Sequence, residues 1–362
     1  MADAADSRWM AHALRLAAHG LNTTSPNPRV GCVLVEGGKN IGEGWHVRAG
    51  EPHAEVHALR AAGHAARGAT AYVTLEPCSH HGRTPPCADA LIAVGVARVV
   101  CAMQDPNPQV AGQGIARLRA AGITVECGLM EAAALELNIG FVSRMTRGMP
   151  FVRSKIAASL DGRTALENGT SQWITGAAAR QDVQHWRARS CAVLTGIGTV
   201  LADDPQLNVR IATGRQPLRV VLDSALRMPP SARMLQSGKV LVCTASQDAA
   251  RQATLERQGA EVLRLADAAG QVDLPGVLRE LARRGINEVL LEAGRTLNGA
   301  LLQAGLVDEV LLYLAPQLLG DAARGMANLG VLTQLEQRVE LVWQEVRHVG
   351  QDLRITAKVK HV

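Results

Sequence analysis

Short apolar runs bounded by turn residues alternate with helical patterns through residues 6–127, and the alternation resumes with different spacing after Arg147-Gly148-Met149-Pro150. Such alternation restricts the chain to layered α/β architecture, because each strand must bury a face against a neighbouring helix. The first half reads as a helix near 6–20, strands near 30–36 and 41–45, and a helix near 53–65. A strand at 70–75, a helix near 85–94, a strand at 97–102, a helix near 112–121, a short strand at 123–127 and a helical stretch near 131–146 follow. Gly148 and Pro150 stop that last helix. Two domains are therefore expected, 1–148 and 149–362, which suits a chain of 362 residues at roughly 100–200 residues per domain.

In the second half the pattern gives strands near 151–157, 192–195, 218–222, 239–243, 261–265, 288–292 and 308–314, with helices near 176–189, 247–257, 274–284 and 296–304. Two late strand-like runs, 339–346 and 352–360, are joined across His348-Val349-Gly350-Gln351. Strands joined by so short a turn pair antiparallel, so a mixed sheet ending in a hairpin is expected. No internal repeat or low-complexity segment interrupts either half.

Two Phe, two Tyr and five Trp are too few to build base-stacking platforms. The net charge of +5 is spread evenly, with 13 basic and 12 acidic residues up to residue 148 and 25 and 21 beyond it. A polyanion track needs clustered charge, so nucleic acid is not an expected partner. No apolar run reaches the roughly 18 residues that span a bilayer, and the start, with Asp3 and Asp6, lacks a signal-peptide pattern. A soluble, cytoplasmic protein with no membrane partner is expected. Seven cysteines cannot all pair within one chain, so reduced thiols are expected. Cys32, Cys101, Cys127, Cys191 and Cys243 fall in strand-like contexts, where cysteine behaves as a small buried hydrophobe.

The other two cysteines have a different setting. His53-Ala54-Glu55 opens a helix, a strand ends at Glu76-Pro77-Cys78, and Cys87 follows after eight residues. One imidazole and two thiolates make a three-ligand zinc set whose fourth position is open, as catalysis requires. A helix N-terminus at Cys87 favours the thiolate that metal binding needs. Glu55 is about 200° around the helix from His53, so it does not simply share the metal. From the first helical turn it can reach an attacking water and move its proton to a leaving amine. The order His-x-Glu then Pro-Cys and Pro-Cys matches the zinc deaminases of cytosine and adenine rings, although eight residues, Ser79 to Pro86, replace their usual two.

Taken with Ser25-Pro26-Asn27-Pro28-Arg29-Val30-Gly31-Cys32, Gly42-Glu43-Gly44-Trp45-His46 and Asp105-Pro106-Asn107-Pro108, this pattern resembles the bifunctional deaminase/reductase family of riboflavin biosynthesis over essentially the whole chain. The resemblance implies a cytidine-deaminase-like three-layer α/β/α domain followed by a dihydrofolate-reductase-like α/β domain with a mixed sheet. It implies zinc on His53, Cys78 and Cys87, Glu55 as the proton shuttle, and substrate contacts at Asn27, His46, Arg83, Asp105 and Asn107. Some relatives carry Lys in place of Arg83, which keeps the positive charge. Turn-making beside proline is the competing role for Asn27, Asp105 and Asn107.

In the second half Lys155, one of only five lysines, sits in an apolar strand. Read alone it is an edge-strand charge, whereas the resemblance implies that it helps hold the sugar substrate. Glycines after strands, at Thr195-Gly196-Ile197-Gly198-Thr199 and Glu292-Ala293-Gly294-Arg295-Thr296-Leu297-Asn298-Gly299, let backbone N–H groups approach an anion, though neither run fits the six-residue dinucleotide fingerprint. The resemblance implies NADPH contacts at Ala157, Thr199, Asp203 and Ser224 and along Gly294 to Ala300. It implies substrate contacts at Ser171, Trp173, Arg187, Leu207, Arg210 and Glu292, the arginines suiting a phosphate through bidentate geometry. A solvated helix face is the plain alternative for Arg187.

The expected activity is zinc-dependent hydrolytic deamination of 2,5-diamino-6-(5-phosphoribosylamino)pyrimidin-4-one, then NADPH reduction of its ribosyl chain to ribityl. A base or nucleoside deaminase with an unrelated nucleotide-binding domain is one alternative, and a non-catalytic zinc and nucleotide sensor is another. The expected partner is a phosphorylated pyrimidine, and the expected assembly is a homo-oligomer.

Overall fold

In the computed structural model, which describes residues 4–79, 86–108 and 110–361, the chain divides into two compact units, Met1–Met149 and Pro150–Val362. In the first, α1 (Ala4–Ala18) precedes a hairpin of β1 (Gly31–Glu36) and β2 (Lys39–Trp45). Then α2 (Ala54–Ala62), β3 (Thr70–Val73), α3 (Cys87–Val94), β4 (Arg98–Cys101), α4 (Gln113–Ala120) and β5 (Thr124–Cys127) alternate. The unit ends with α5 (Glu131–Leu137) and α6 (Ile139–Arg147). The sheet order is β2-β1-β3-β4-β5, antiparallel across its first two pairings and parallel across the last two.

Glycines show which helix covers which face. A Cβ on Gly31 would lie 2.0 Å from the Ala13 carbonyl oxygen of α1. On β2, Gly42 and Gly44 stand opposite Leu34 and Cys32, and a Cβ on either would strike α2, 2.4 Å from the Ala58 carbonyl oxygen or from His57 Cβ. Residues 31 and 32 point to opposite faces of the strand, so α1 and α2 cover opposite faces and the unit has the expected three layers. With no side chain on β2 at these two positions, α2 packs against its backbone at close range.

Two expectations for this half need correction. The single helical stretch over 131–146 is two helices, broken at Asn138, whose side chain brackets a distant backbone: its Oδ1 accepts from Arg29 N at 2.7 Å and its Nδ2 donates to Arg29 O at 3.0 Å. Cys127 is exposed, because it ends the edge strand β5, while Cys32, Cys101, Cys191 and Cys243 are buried as expected.

The second unit runs β6 (Phe151–Ser159), β7 (Arg163–Ala165), α7 (Ala177–Arg189), β8 (Ala192–Gly196), α8 (Ile197–Asp203), β9 (Leu218–Leu222), β10 (Val240–Thr244) and α9 (Ala249–Arg257). It continues with β11 (Ala260–Arg264), α10 (Leu274–Arg283), β12 (Glu288–Leu291), α11 (Arg295–Gln303), β13 (Glu309–Ala315), β14 (Arg324–Gly325), β15 (Leu341–Val349) and β16 (Asp352–Val359). Nine strands form one sheet, β11-β10-β9-β8-β12-β6-β13-β16-β15. Pairing is parallel from β11 to β13 and antiparallel in the last two steps, so the mixed sheet with a terminal hairpin is present. The short β7 and β14 pair separately.

The strand β6 lies inside this sheet, which removes the edge-strand reading of Lys155. Its neighbour Arg153 is buried between Glu288 and Glu309, bonding the first at 3.1 Å, with Arg189 holding Glu288 at 2.8 Å. The parallel strands bring their carboxyl ends to one rim, where ligands bind in open α/β sheets.

Candidate active sites

In the first unit His53 caps the N-terminus of α2 and Cys87 opens α3. His53 Nδ1 lies 3.5 Å from Cys78 Sγ and 3.3 Å from Cys87 Sγ. Zinc bonds of about 2.0 Å to nitrogen and about 2.3 Å to sulfur give a tetrahedral edge of about 3.5 Å, so the donor set and its spacing fit zinc. Cys87 donates its backbone N–H to Cys78 Sγ at 3.3 Å, the helix-start arrangement read from the sequence. Together with a bond from the Cys87 thiol, the largest influence, and another from His53, this pulls the Cys78 thiol well down, against burial. The Cys87 thiol is pushed up, chiefly by its bond to Cys78.

Glu55 is 3% exposed and its Oε2 has no hydrogen-bond partner. Burial, helped by the nearby Cys78, raises its carboxyl above the usual range. An orphaned carboxyl oxygen beside three convergent ligand atoms is placed to exchange protons with whatever enters the fourth position. His46 packs edge-on to His53, with ring centroids 5.2 Å apart. It donates from Nδ1 to Pro52 O at 3.2 Å and accepts at Nε2 from Asn27 Nδ2 at 3.1 Å. Burial pushes the His46 imidazole down, which favours the neutral ring these bonds require. Asp105 has a turn-making role, its Oδ1 accepting from Asn107 N at 2.8 Å. Arg83 lies outside the described residues.

At the carboxyl-end rim of the second unit is a cavity of about 1820 Å³, larger than the roughly 300–1,000 Å³ of a single small-ligand pocket. Lys155, Ser171, Trp173, Arg187, Leu207, Arg210 and Glu292 all line it. So do Ala157, Thr199, Asp203 and Ser224, and Gly294, Arg295, Thr296, Leu297 and Ala300 from the start of α11. Leu207 does so at a φ of 51°, left-handed strain of the kind that collects at ligand sites. Trp173 is 68% exposed and stacks under Arg180, whose guanidinium is 4.5 Å from the ring centroid.

Asn298 and Gly299 do not line the cavity, which corrects the expected cradle over Gly294 to Ala300. The segment from Arg295 is helical, and its turn carries these two residues to the other side. Asn298 is buried and bonds Ser154 Oγ, Ala293 O and Met326 O, and a Cβ on Gly299 would lie 2.0 Å from Asn328 O. The helix presents Gly294 with open space around it, so a phosphate can approach its backbone N–H groups.

Arg187 is not on a solvated face. It donates to both oxygens of Glu292, from Nε at 2.5 Å and Nη2 at 2.9 Å. Burial alone would raise the Glu292 carboxyl, but Arg187, with Lys155 and Arg210, holds it below the ordinary value. Lys155 is pushed down by burial, more than Glu292 pulls it back up. Four further guanidiniums at the cavity, Arg210, Arg227, Arg233 and Arg295, carry no hydrogen bond or ion pair among the described residues. Guanidiniums without a paired carboxylate fit polyanionic ligands. Sequence reasoning missed Arg227 and Arg233; their position in the loop after β9, a strand of the parallel set, was the available signal.

These two sites define a zinc-type deaminase joined to a dihydrofolate-reductase-like reductase. Residues 3–103 match the model of the cytidine and deoxycytidylate deaminase zinc-binding region, and 150–355 match that of the RibD C-terminal domain. The riboflavin biosynthesis protein RibD of Escherichia coli K12 is 52% identical over 365 residues, covering 96% of this chain and 98% of that protein. The Haemophilus influenzae protein of the same name is 47% identical over 99% of this chain and 98% of its own. An Acinetobacter baumannii RibD structure superposes with a TM-score of 0.92 at 48% identity, covering 99% of each chain. A diaminohydroxyphosphoribosylaminopyrimidine deaminase/5-amino-6-(5-phosphoribosylamino)uracil reductase from Thermotoga maritima does so with 0.87 at 34% identity, covering 98% of this chain and 99% of that one. The chain belongs to the RibD family, the bifunctional deaminase/reductases of riboflavin biosynthesis, with a zinc-binding deaminase domain and an NADPH-using reductase domain.

Proposed function

We propose that the deaminase site acts on 2,5-diamino-6-(5-phosphoribosylamino)pyrimidin-4-one and that the reductase site then converts the ribosyl chain of the product to ribityl, giving 5-amino-6-(5-phosphoribitylamino)uracil. The observation that carries the first step is the partnerless Glu55 Oε2 beside His53, Cys78 and Cys87. Those three residues would hold zinc, which when bound supplies Lewis acidity and a water acidic enough to react at neutral pH. Glu55 takes a proton from the attacking water and delivers it to the exocyclic amine, which leaves as ammonia while the ring carbon becomes a carbonyl. Asn27 and His46 orient the pyrimidine together with Asp105 and Asn107, and Arg83 is suited by its charge to the phosphate.

NADPH supplies the hydride for the second step. The amino end of α11, at Gly294 and Arg295 with Thr296, Leu297 and Ala300, suits its pyrophosphate, and Ala157, Thr199, Asp203 and Ser224 border the rest of its path. Arg210, with an unengaged guanidinium, suits the substrate phosphate. Lys155 and Glu292 hold the sugar hydroxyls, Arg187 keeps Glu292 ionised, and Ser171, Trp173 and Leu207 wall the sugar side.

A homo-oligomer formed along β15 completes the proposal: this edge strand is exposed over nearly its full length, and its Trp343 is 63% exposed. Among the described residues no helix is long and apolar enough to cross a membrane, and the seven free cysteines suit a reducing cytoplasm.

The test is NADPH oxidation with the diaminopyrimidine, with and without a zinc chelator. Chelation should stop oxidation of this compound but not of its deaminated product. Glu55→Gln should abolish ammonia release while zinc content and NADPH binding survive. Oxidation of the diamino compound that continues after zinc is removed would refute the order of steps.

A further inference from the structure

We propose that Glu76 is a positioning residue of the deamination, a carboxylate that fixes the Asp105–Asn107 turn at a set distance from the metal-ligating Cys78; this rests on the reading of the deaminase site given above. Glu76 lies two residues before Cys78 and is 3% exposed. Among the described residues no cation pairs with it. It meets backbone N–H groups instead: Oε1 accepts from Gly114 at 2.8 Å and Ile115 at 3.1 Å, and Oε2 accepts from Gly112 at 2.9 Å and Asp105 at 3.1 Å. Four donors fill the acceptor capacity of one carboxylate.

Those donors belong to two structures. Gly114 and Ile115 are in the first turn of α4, whose N–H groups have no partner within the helix and whose positive end favours an anion. Asp105 and Gly112 bound the loop that leads into it. Glu76 also donates its own N–H to Met103 O at 3.0 Å, so a single residue ties down the loop at its start and at its end. Inside the loop, Asn107 O accepts from the N–H groups of Val110 and Ala111, each at 2.9 Å. The bonds therefore run from the chain beside Cys78, through one side chain, to both residues proposed to face the pyrimidine.

Clearance supports the same conclusion. A Cβ on Gly114 would lie 1.9 Å from Pro77 O, so α4 rests directly on the residue between Glu76 and Cys78. Gly112 reaches the carboxylate at a φ of 80°, a backbone conformation glycine adopts without strain. Arg117 of α4 donates to Ser79 O at 3.3 Å, on the other side of Cys78. Helix, loop and metal ligand are thus referenced to one another, and Glu76 is the shared point.

Glutamine at this position has the same shape but one acceptor oxygen, and it turns an NH2 donor toward two of the four N–H groups. Aspartate keeps both oxygens on a shorter arm. The experiment compares E76Q and E76D in the full chain by zinc content, ammonia release from the diaminopyrimidine, and NADPH oxidation with the deaminated compound as the internal control for folding. Two charge-assisted bonds lost from the loop predict for E76Q a KM raised roughly tenfold or more with kcat within about threefold. Zinc content and reductase activity stay at wild-type levels, and E76D recovers part of the KM. Amide exchange across residues 104–116 speeds up in E76Q, a readout that needs no substrate and so stands apart from the identity of the pyrimidine. An unchanged KM, unchanged exchange, or zinc loss in proportion to the loss of activity would overturn the proposal.

Discussion

Replacing Arg187 with methionine removes the principal partner of a buried carboxylate. Arg187 grips both oxygens of Glu292 at 2.5 and 2.9 Å, and each side chain is 11% exposed. Breaking a buried pair from one side costs about 3–5 kcal/mol. Lys155 and Arg210 also favour the charged form of Glu292, so part of the cost is offset. The remainder, about 2–3 kcal/mol, is lost from folding stability; a Glu292 no longer held ionised and oriented should also lower reductase kcat/KM by roughly tenfold or more.

The pH dependence separates this mechanism from loss of a direct substrate contact. In the native protein the Glu292 carboxyl is lowered, so its contribution to stability is fully present above the unfolded value and is lost only as pH falls through the still lower folded value. Without Arg187, burial is opposed only by Lys155 and Arg210, so the carboxyl rises above its native value, the charged form is less stable at neutral pH and acidification relieves that cost. The ratio of variant to wild-type kcat/KM should therefore fall further below pH 6 than above pH 8, while the difference in Tm is greatest at neutral pH. NADPH oxidation with the deaminated substrate across this range measures the first, and thermal unfolding measures the second. Ammonia release reports that the other unit is intact. A pH-independent ratio, or a loss smaller than about threefold, would refute the assignment of Arg187 as the keeper of Glu292.

Gly299→Ala pushes a methyl to 2.0 Å from the Asn328 backbone, an overpacking that costs about 1–3 kcal/mol. Because it displaces α11, it should weaken NADPH binding by fluorescence titration without changing ammonia release; equal affinity would show that α11 does not seat the cofactor. Trp343→Glu on the exposed β15 should lower the mass measured by light scattering if copies pair along that edge, and an unchanged mass would place any interface elsewhere.

The alternation of the two halves, the closing hairpin and the zinc ligands were legible because each has a local cause: periodicity, a short turn, and donor types in a fixed order. What escaped depends on contacts distant in sequence. Asn138 breaks a helix because its amide brackets Arg29, more than a hundred residues away. Asn298 and Gly299 look like part of a phosphate loop until the helix direction turns them to Ser154 and Asn328. Glu76 reads as the residue before a Pro-Cys step, and nothing local shows that four N–H groups from a later loop and helix converge on it. Cys127 fits a strand pattern, but its exposure follows from the order of strands, which periodicity does not reveal.

The bare contact of α2 with β2 bears on how His53 is held. Gly42 and Gly44 put no strand side chain under the helix, which rests on them through its own backbone and the Cβ atoms of His57 and Ala62, so the stand-off height of the imidazole is set by nearly rigid atoms. Side chains flex through rotamers and would act as a compressible shim, letting the ligand drift with temperature or with neighbouring substitutions. Here the spacer has almost no travel. The metal-binding end of α2 therefore has a hard mechanical datum, and tolerance to sequence drift should be lowest at two glycines that touch neither metal nor substrate.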